Sequence, residues 1–237
     1  ASRGPLPAQR ALRIGCIGWG SLLWDPRTLP MAGGFRADGP RLPIEFSRVS
    51  LDGRVTLVID PRAQAIPTAW APLAVSHVEA AIEGLGVREK IAPERGADWI
   101  GLEVRGEPSR AGGQTEAALR APIVEWLAAR SELDAVVWTA LPARGPDGVS
   151  LLPDPDVLLA HLDALEGVAR ARAEEYVRRA PDFVRTANRT RFEQRFGWTP
   201  ARRPPEPRQS PIPVPEPSAP GGTSDGRSAE RVPAGRA

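Results

Sequence analysis

Two stretches of the chain hold residue types that do acid–base or anion chemistry. Residues 18–21 read Gly-Trp-Gly-Ser and directly follow an apolar run that begins at residue 12. Glycine tolerates positive φ and lets a ligand approach the backbone closely. Such a loop is able to aim N–H groups at an oxygen; it is equally a tight turn with a capping serine. It is not a nucleotide fingerprint, since neither G-x-G-x-x-G nor G-x-x-x-x-G-K-[ST] occurs. The second stretch is Arg88-Glu89-Lys90, one carboxylate between two cations. A positioned carboxylate does general acid–base work, and a charged triplet near a helix end is equally a plain solvated surface. Cys16 lies inside the apolar run, where a small buried residue is the ordinary role. Ser21 lacks the G-x-S-x-G context of a nucleophile elbow, because the residue two beyond it is Leu23. The two histidines, His77 and His161, form no ligand-spaced cluster with cysteine or carboxylates, so no metal site is expected.

The elements that must position these residues follow from hydrophobic pattern and turn chemistry. Residues 12–18 predict a short buried strand ending at the glycines. "RLPIEFSRVS" and "GRVTLVIDP" predict two strands joined through Asp52-Gly53. "AIPTAWAPL" predicts one further strand. Ser76 with Glu79 matches a capping box, opening a helix that carries Val78, Ile82 and Leu85 and runs out near Gly86. "DWIGLEVRG" and "DAVVWTAL" predict strands, and about 115–130 predicts a helix with Leu119, Ile123, Trp126 and Leu127 on one face. A single long helix is expected from Asp156 to Arg179, then a short one around "ANRTRFEQRFGW". Short strands with inserted helices, and no regular βα alternation, predict an α+β fold. The sheet is expected to curl, because Gly and Pro separate the strands.

The chain has 237 residues, of which 41% are apolar, enough for one domain with extensions. Prolines are unevenly spread: ten fall in the last 38 residues. That composition buries too little apolar surface to offset ordering. The expected organisation is a flexible extension over 1–11, a folded domain over 12–199 and a Pro-rich disordered tail over 200–237. The tail is alternatively a docking segment for a partner. Net charge is +2 with interspersed signs, so no nucleic-acid stripe is expected. No run of about 18 apolar residues predicts a membrane span. A single cysteine and an opening without an apolar signal core lead to the expectation of a cytoplasmic protein.

A glycine-loop motif and four further matches in order carry a resemblance. "IGWGSLLW" looks like the glycine-loop signature of the γ-glutamylcyclotransferase fold, most closely its ChaC-like branch. "FSR" at 46–48, "TLVIDP" at 56–61, Trp70 and "REK" at 88–90 follow in that family's order. The resemblance covers roughly residues 12–105. It implies a small curled mixed β-barrel with flanking helices, and a loop of Gly18, Trp19, Gly20, Ser21 and Leu22 that cradles a γ-glutamyl group. It implies that Glu89 is the catalytic acid/base. Trp19 stands where the signature has tyrosine, "IAPERGADW" replaces a Gly-Gly-Tyr segment, and the stretch between "FSR" and "TLV" is short.

The chemistry the resemblance implies is lactam formation. A γ-glutamyl amide carries its own nucleophile, the α-amine, which attacks the γ-carbonyl, closes 5-oxoproline and expels an amine. No cofactor is required. Glu89 would take the ammonium proton and return it to the leaving amine, work worth about 10²–10⁴-fold. Amides near Gly20 and Ser21 would hold developing negative charge. Arg48 is a candidate for the substrate α-carboxylate, or else a structural ion pair. Trp70 and Trp24 either wall the pocket or pack the core. The competing expectations are an inactive barrel serving as an interaction module, and acyl transfer through Ser21 or Cys16.

Overall fold

The computed structural model describes residues 11–107 and 117–201, all within the first of the two units, Ala1–Arg202 and Arg203–Ala237, into which the chain divides. Almost all of the expected tail and of the N-terminal extension lies outside the described residues. The apolar run ending at the glycines forms β1 (Ile14–Gly18), buried along its whole length. It lies between β5 (Ala69–Pro72), antiparallel, and β7 (Ala135–Thr139), parallel, with β6 (Ile100–Val104) antiparallel to β7 at the far side. The result is a four-stranded sheet of order β5-β1-β7-β6.

A second sheet has the order β3-β2-β4, from β2 (Leu42–Val49), β3 (Val55–Ile59) and β4 (Ala65–Ile66). Gly53 makes the expected turn between β2 and β3, at φ 83°, a conformation that favours glycine. The β2–β3 register shifts between Phe46 and Arg48. Leu42, Ile44 and Phe46 enter the core on alternate residues, and past this bulge the core residue is Val49. A one-residue insertion moves the alternation by one, which turns Arg48 off the core face.

Six α-helices are described: α1 (Val78–Glu89), α2 (Gly96–Trp99), α3 (Ala117–Ala128), α4 (Pro155–Asp163), α5 (Gly167–Arg179) and α6 (Ala187–Phe196). α1 packs on β6 and β7, while α3 to α6 pack on the β2–β3 sheet. Two apolar clusters result. One holds Phe46, Leu57, Trp138, Tyr176 and Phe192; the other holds Cys16, Leu85, Ile100 and Val137.

The α+β class matches expectation, but the described strands form two sheets and neither closes into a barrel. The "AIPTAWAPL" segment is two strands, β4 and β5, which pair into different sheets. There is no capping box: the N-cap of α1 is His77 and no side chain caps it. The helix also does not stop at Gly86. That glycine is buried within α1, where an added Cβ would meet Ile100 at 3.5 Å, and Lys90 takes the left-handed position instead, at φ 57°. The long helix expected over 156–179 breaks into α4 and α5, where Gly167 adopts φ 52°. The four-residue α2 interrupts the stretch assigned to a strand from Asp98.

Candidate active site

The chain leaves β1 at Gly18 and enters a single 3-10 turn, Ser21–Leu23. Neither Gly18 nor Gly20 has positive φ. What both positions require is space. A Cβ on Gly18 would meet Leu22, Leu23 and Phe35 at 3.0–3.1 Å, and one on Gly20 would meet the Tyr176 hydroxyl oxygen at 2.7 Å. Among the described residues the N–H groups of Gly20 and Ser21 donate to no protein acceptor, so amides are available at the end of the strand.

Glu89 is the last residue of α1. A carboxylate at a helix C-terminus opposes the macrodipole, so the position is not one that helix stability selects. Arg88 offsets it. Its guanidinium is 4% exposed; Nη1 donates to Glu89 Oε1 at 2.6 Å, and Nη2 to Ser21 Oγ at 3.0 Å and to the Asp25 carbonyl at 2.7 Å. One guanidinium therefore ties the glycine loop to the carboxylate. Glu89 Oε2 has no hydrogen-bond partner among the described residues. Loop and carboxylate line one cavity of about 890 Å³.

Tyr176, on α5, closes the other side of the loop. Its ring lies edge-on to Trp24 and Phe46, at centroid distances of 5.5 and 6.2 Å, and under the Arg54 guanidinium. Its oxygen accepts a hydrogen bond from the Leu57 N–H at 3.4 Å, while the hydroxyl hydrogen has no acceptor among the described residues. Burial raises the phenol pKa; the Leu57 N–H works against this, and the negative charge of Glu89 adds to it. The group is a neutral donor at physiological pH.

The cavity wall is electropositive. Eight basic side chains face four carboxylates. Arg27 pairs with Asp25, Arg54 with Asp52, Arg88 with Glu89 and Arg179 with Glu175. Arg48, Lys90, Arg144 and Arg172 have no carboxylate partner among the described residues. Arg48 makes no ion pair among the described residues; its Nη1 donates to the Pro142 carbonyl at 2.6 Å. Burial, then the neighbouring charge of Arg144, lowers its pKa from the ordinary arginine value.

Every residue singled out for the site, Gly18, Trp19, Gly20, Ser21, Leu22, Arg48 and Glu89, lines this cavity. Trp19 contributes its ring rather than its donor, because its indole N–H is directed to the Leu57 carbonyl at 3.3 Å. Trp24 is a wall residue, whereas Trp70 is core: it is 1% exposed and donates to Asp38 at 2.8 Å, away from the cavity. Cys16 is fully buried and its thiol pKa is pushed up by that burial, so it is no thiolate nucleophile. Neither His77 nor His161 lines the cavity, which leaves Ser21 without a histidine base. Among the described residues no group of three His, Cys, Asp or Glu side chains is placed to hold a metal ion, and no helix is long and apolar enough to cross a membrane.

Among the cavity residues to which sequence reasoning gave no role are Arg88, Tyr176 and Arg144. Tyr176 is the chain's only tyrosine, a signal of a sort, but its approach to Gly20 is made by tertiary packing alone. No protein-family model, no curated protein and no solved structure matches the chain.

Proposed function

We propose that this protein is an enzyme of the γ-glutamylcyclotransferase type, closing γ-glutamyl amides to 5-oxoproline with release of an amine. One observation carries the proposal: the Glu89 carboxylate and the Gly20–Ser21 loop share a cavity and are joined by a single guanidinium, through Glu89 Oε1 and Ser21 Oγ. The reaction needs a base for an ammonium and donors for a carbonyl oxygen, held on opposite sides of a small folded substrate. The γ-glutamylcyclotransferase type of fold and a cytoplasmic site of action belong to the same proposal.

In this mechanism Glu89 accepts a proton from the α-ammonium, and the freed nitrogen attacks the γ-carbonyl carbon. Negative charge moves onto the carbonyl oxygen, facing the amides of Gly20 and Ser21 and the Tyr176 hydroxyl; each such donor is worth roughly 3 kcal/mol. As the carbon–nitrogen bond to the leaving group breaks, Glu89 returns its proton to the departing amine, and the ring nitrogen gives up its second proton by way of the same carboxylate, leaving the lactam N–H and the amine as its ammonium form. Nucleophile, electrophile and leaving group all belong to the substrate, so no cofactor takes part. Arg88 holds Glu89 and the loop at fixed separation, an orientation contribution. Arg48 receives the α-carboxylate.

The test is a panel of γ-glutamyl amides, including glutathione and γ-glutamyl amino acids, assayed for 5-oxoproline. Turnover is expected for at least one member, and Glu89→Gln is expected to lower kcat about 10²–10⁴-fold per folded molecule, together with some loss of stability because the buried Arg88 loses its counter-charge. No product across the panel, or full activity in Glu89→Gln, overturns the assignment.

A further inference from the structure

The exposed apolar side chains are unevenly spread over the described residues. Of the eight large ones, Val149, Leu151, Leu152 and Val157 fall within nine residues, at 37–70% exposure, and all four line one groove. No residue of this groove lines the candidate active site. Apolar side chains scattered singly over a surface are ordinary, whereas a contiguous patch marks a contact surface. Pro146 and Pro153 restrict the backbone of the groove wall, so part of the ordering that a contact requires is already in place.

The polar groups around the patch say what would cover it. Asp147 and Asp154 stand in the wall, and no basic side chain does. Oδ1 of each accepts a backbone N–H, from Val149 at 3.0 Å and from Asp156 at 2.8 Å, and the second oxygen of each has no hydrogen-bond partner among the described residues. Arg62 comes near, donating Nη2 to the Pro153 carbonyl at 3.2 Å, but its charge is paired with Asp60 at 2.8 Å. Backbone groups are also open: the N–H groups of Leu152 and Asp154 and the carbonyls of Leu151 and Leu152 bond to no protein group among the described residues.

A second copy related by a two-fold axis would set these carboxylates against themselves. An anionic bilayer surface meets the same repulsion. A peptide segment matches every feature at once, with apolar side chains for the patch, a cation for the carboxylates, and its own N–H and C=O groups for the open backbone. We infer that this groove docks a segment of a partner protein that carries apolar side chains beside a lysine or arginine. The apolar side chains cover Leu151 and its neighbours, and the cation meets the free oxygens of Asp147 and Asp154.

The experiment pans a phage-displayed library of random dodecapeptides on the full chain, with the Leu151→Asp variant as the counter-selected surface. Leu151 is 70% exposed, so the substitution leaves the fold intact. Enrichment of peptides that combine apolar residues with lysine or arginine is expected. The most enriched peptide, followed by fluorescence anisotropy, is expected to bind Leu151→Asp about 10-fold more weakly or worse. A second variant, Asp147→Asn with Asp154→Asn, keeps both backbone-accepting oxygens and the cap of α4. It is expected to weaken binding about 10-fold and to remove most of the dependence on salt between about 50 and 500 mM. No enrichment over the counter-selected variant, enrichment of peptides without lysine or arginine, or unchanged affinity in either variant overturns the proposal. Dimerisation of the full chain in sedimentation, or binding to phosphatidylglycerol vesicles, that is abolished by Leu151→Asp gives the groove to a second copy or to a bilayer and overturns it equally.

Discussion

Arg88 and Arg189 are both buried, at 4% and 1% exposure, yet their donors end in different places. Arg189, on α6, donates to the carbonyls of Pro181, Val184 and Ala180 at 2.7–2.9 Å, and pairs with Glu193 at 3.2 Å. Those carbonyls lie where α5 ends and the chain turns toward α6, so the guanidinium completes a helix terminus. Arg88 instead reaches a hydroxyl, one carbonyl and a carboxylate, and every one of these partners belongs to a cavity-lining residue. A buried cation whose partners are mostly backbone oxygens at a helix end is a structural fastening. One that joins a hydroxyl and a carboxylate facing an open cavity fixes the distance between groups that a ligand touches.

The largest effect separating the two comes from removing the fastening. Arg189→Met leaves three carbonyls without their donor and is expected to cost about 3–5 kcal/mol. A lowered urea midpoint at unchanged m checks this, and 5-oxoproline formation per folded molecule is expected to be retained. A loss under about 1 kcal/mol breaks the contrast.

Arg88 is expected to show the reverse pattern. Arg88→Lys keeps the positive charge but cannot bridge three partners with one planar group. It is expected to lower kcat of the proposed cyclisation about 10²-fold, with a smaller change in KM, because a misplacement near 1 Å costs that much. Wild-type kcat in this variant would show that charge alone, and not the shared guanidinium, matters between loop and carboxylate.

The contact between Gly20 and Tyr176 sharpens the contrast at the level of packing. Gly20→Ala puts a methyl group 2.7 Å from the phenolic oxygen, and the buried ring has little room to move. About 1–3 kcal/mol of destabilisation is expected. Tyr176→Phe removes the clashing oxygen, so the double variant is expected to be about 1 kcal/mol more stable than the sum of the singles predicts. Strict additivity in chemical denaturation would mean that the two positions do not touch in solution.

What was legible in the chain followed from local patterns. The apolar run ending in glycines is β1, and Asp52-Gly53 is the β2–β3 turn, because a period and a turn residue act over a few positions. Glu89 stood out by its motif. The end of α1 did not, since Gly86 lies buried within the helix while a lysine takes the left-handed turn that glycine ordinarily occupies. The break before α5 rests on Gly167, in a stretch whose apolar spacing continues across it. Tyr176 meets Leu57, and Arg144 meets Arg48, only through pairing between segments about 100 residues apart, which no local pattern records.

The smallest predicted effect belongs to an ion pair that resembles Arg88–Glu89 in chemistry but stands away from the cavity. Asp60 is buried and accepts from Ser47 Oγ at 2.6 Å and from the Arg62 guanidinium at 2.8 Å, with Arg62 itself about half exposed. Burial disfavours the charged carboxyl, but the hydrogen bonds from Arg62 and Ser47 outweigh it, and its pKa lies below the ordinary aspartate value. A carboxylate whose pKa is lower folded than unfolded binds fewer protons when folded. Its stabilisation is therefore present above the unfolded value near 4, and is lost as pH falls through the folded one. Asp60→Asn is expected to cost only about 1 kcal/mol at pH 7, because the exposed arginine is well solvated without its partner. The same substitution is expected to cost less at pH 3, below the unfolded value, where part of the stabilisation from the charged carboxyl is lost. Urea midpoints at the two pH values check this: an equal loss at both would mean that Asp60 acts through its shape in the β3 turn and not through its charge.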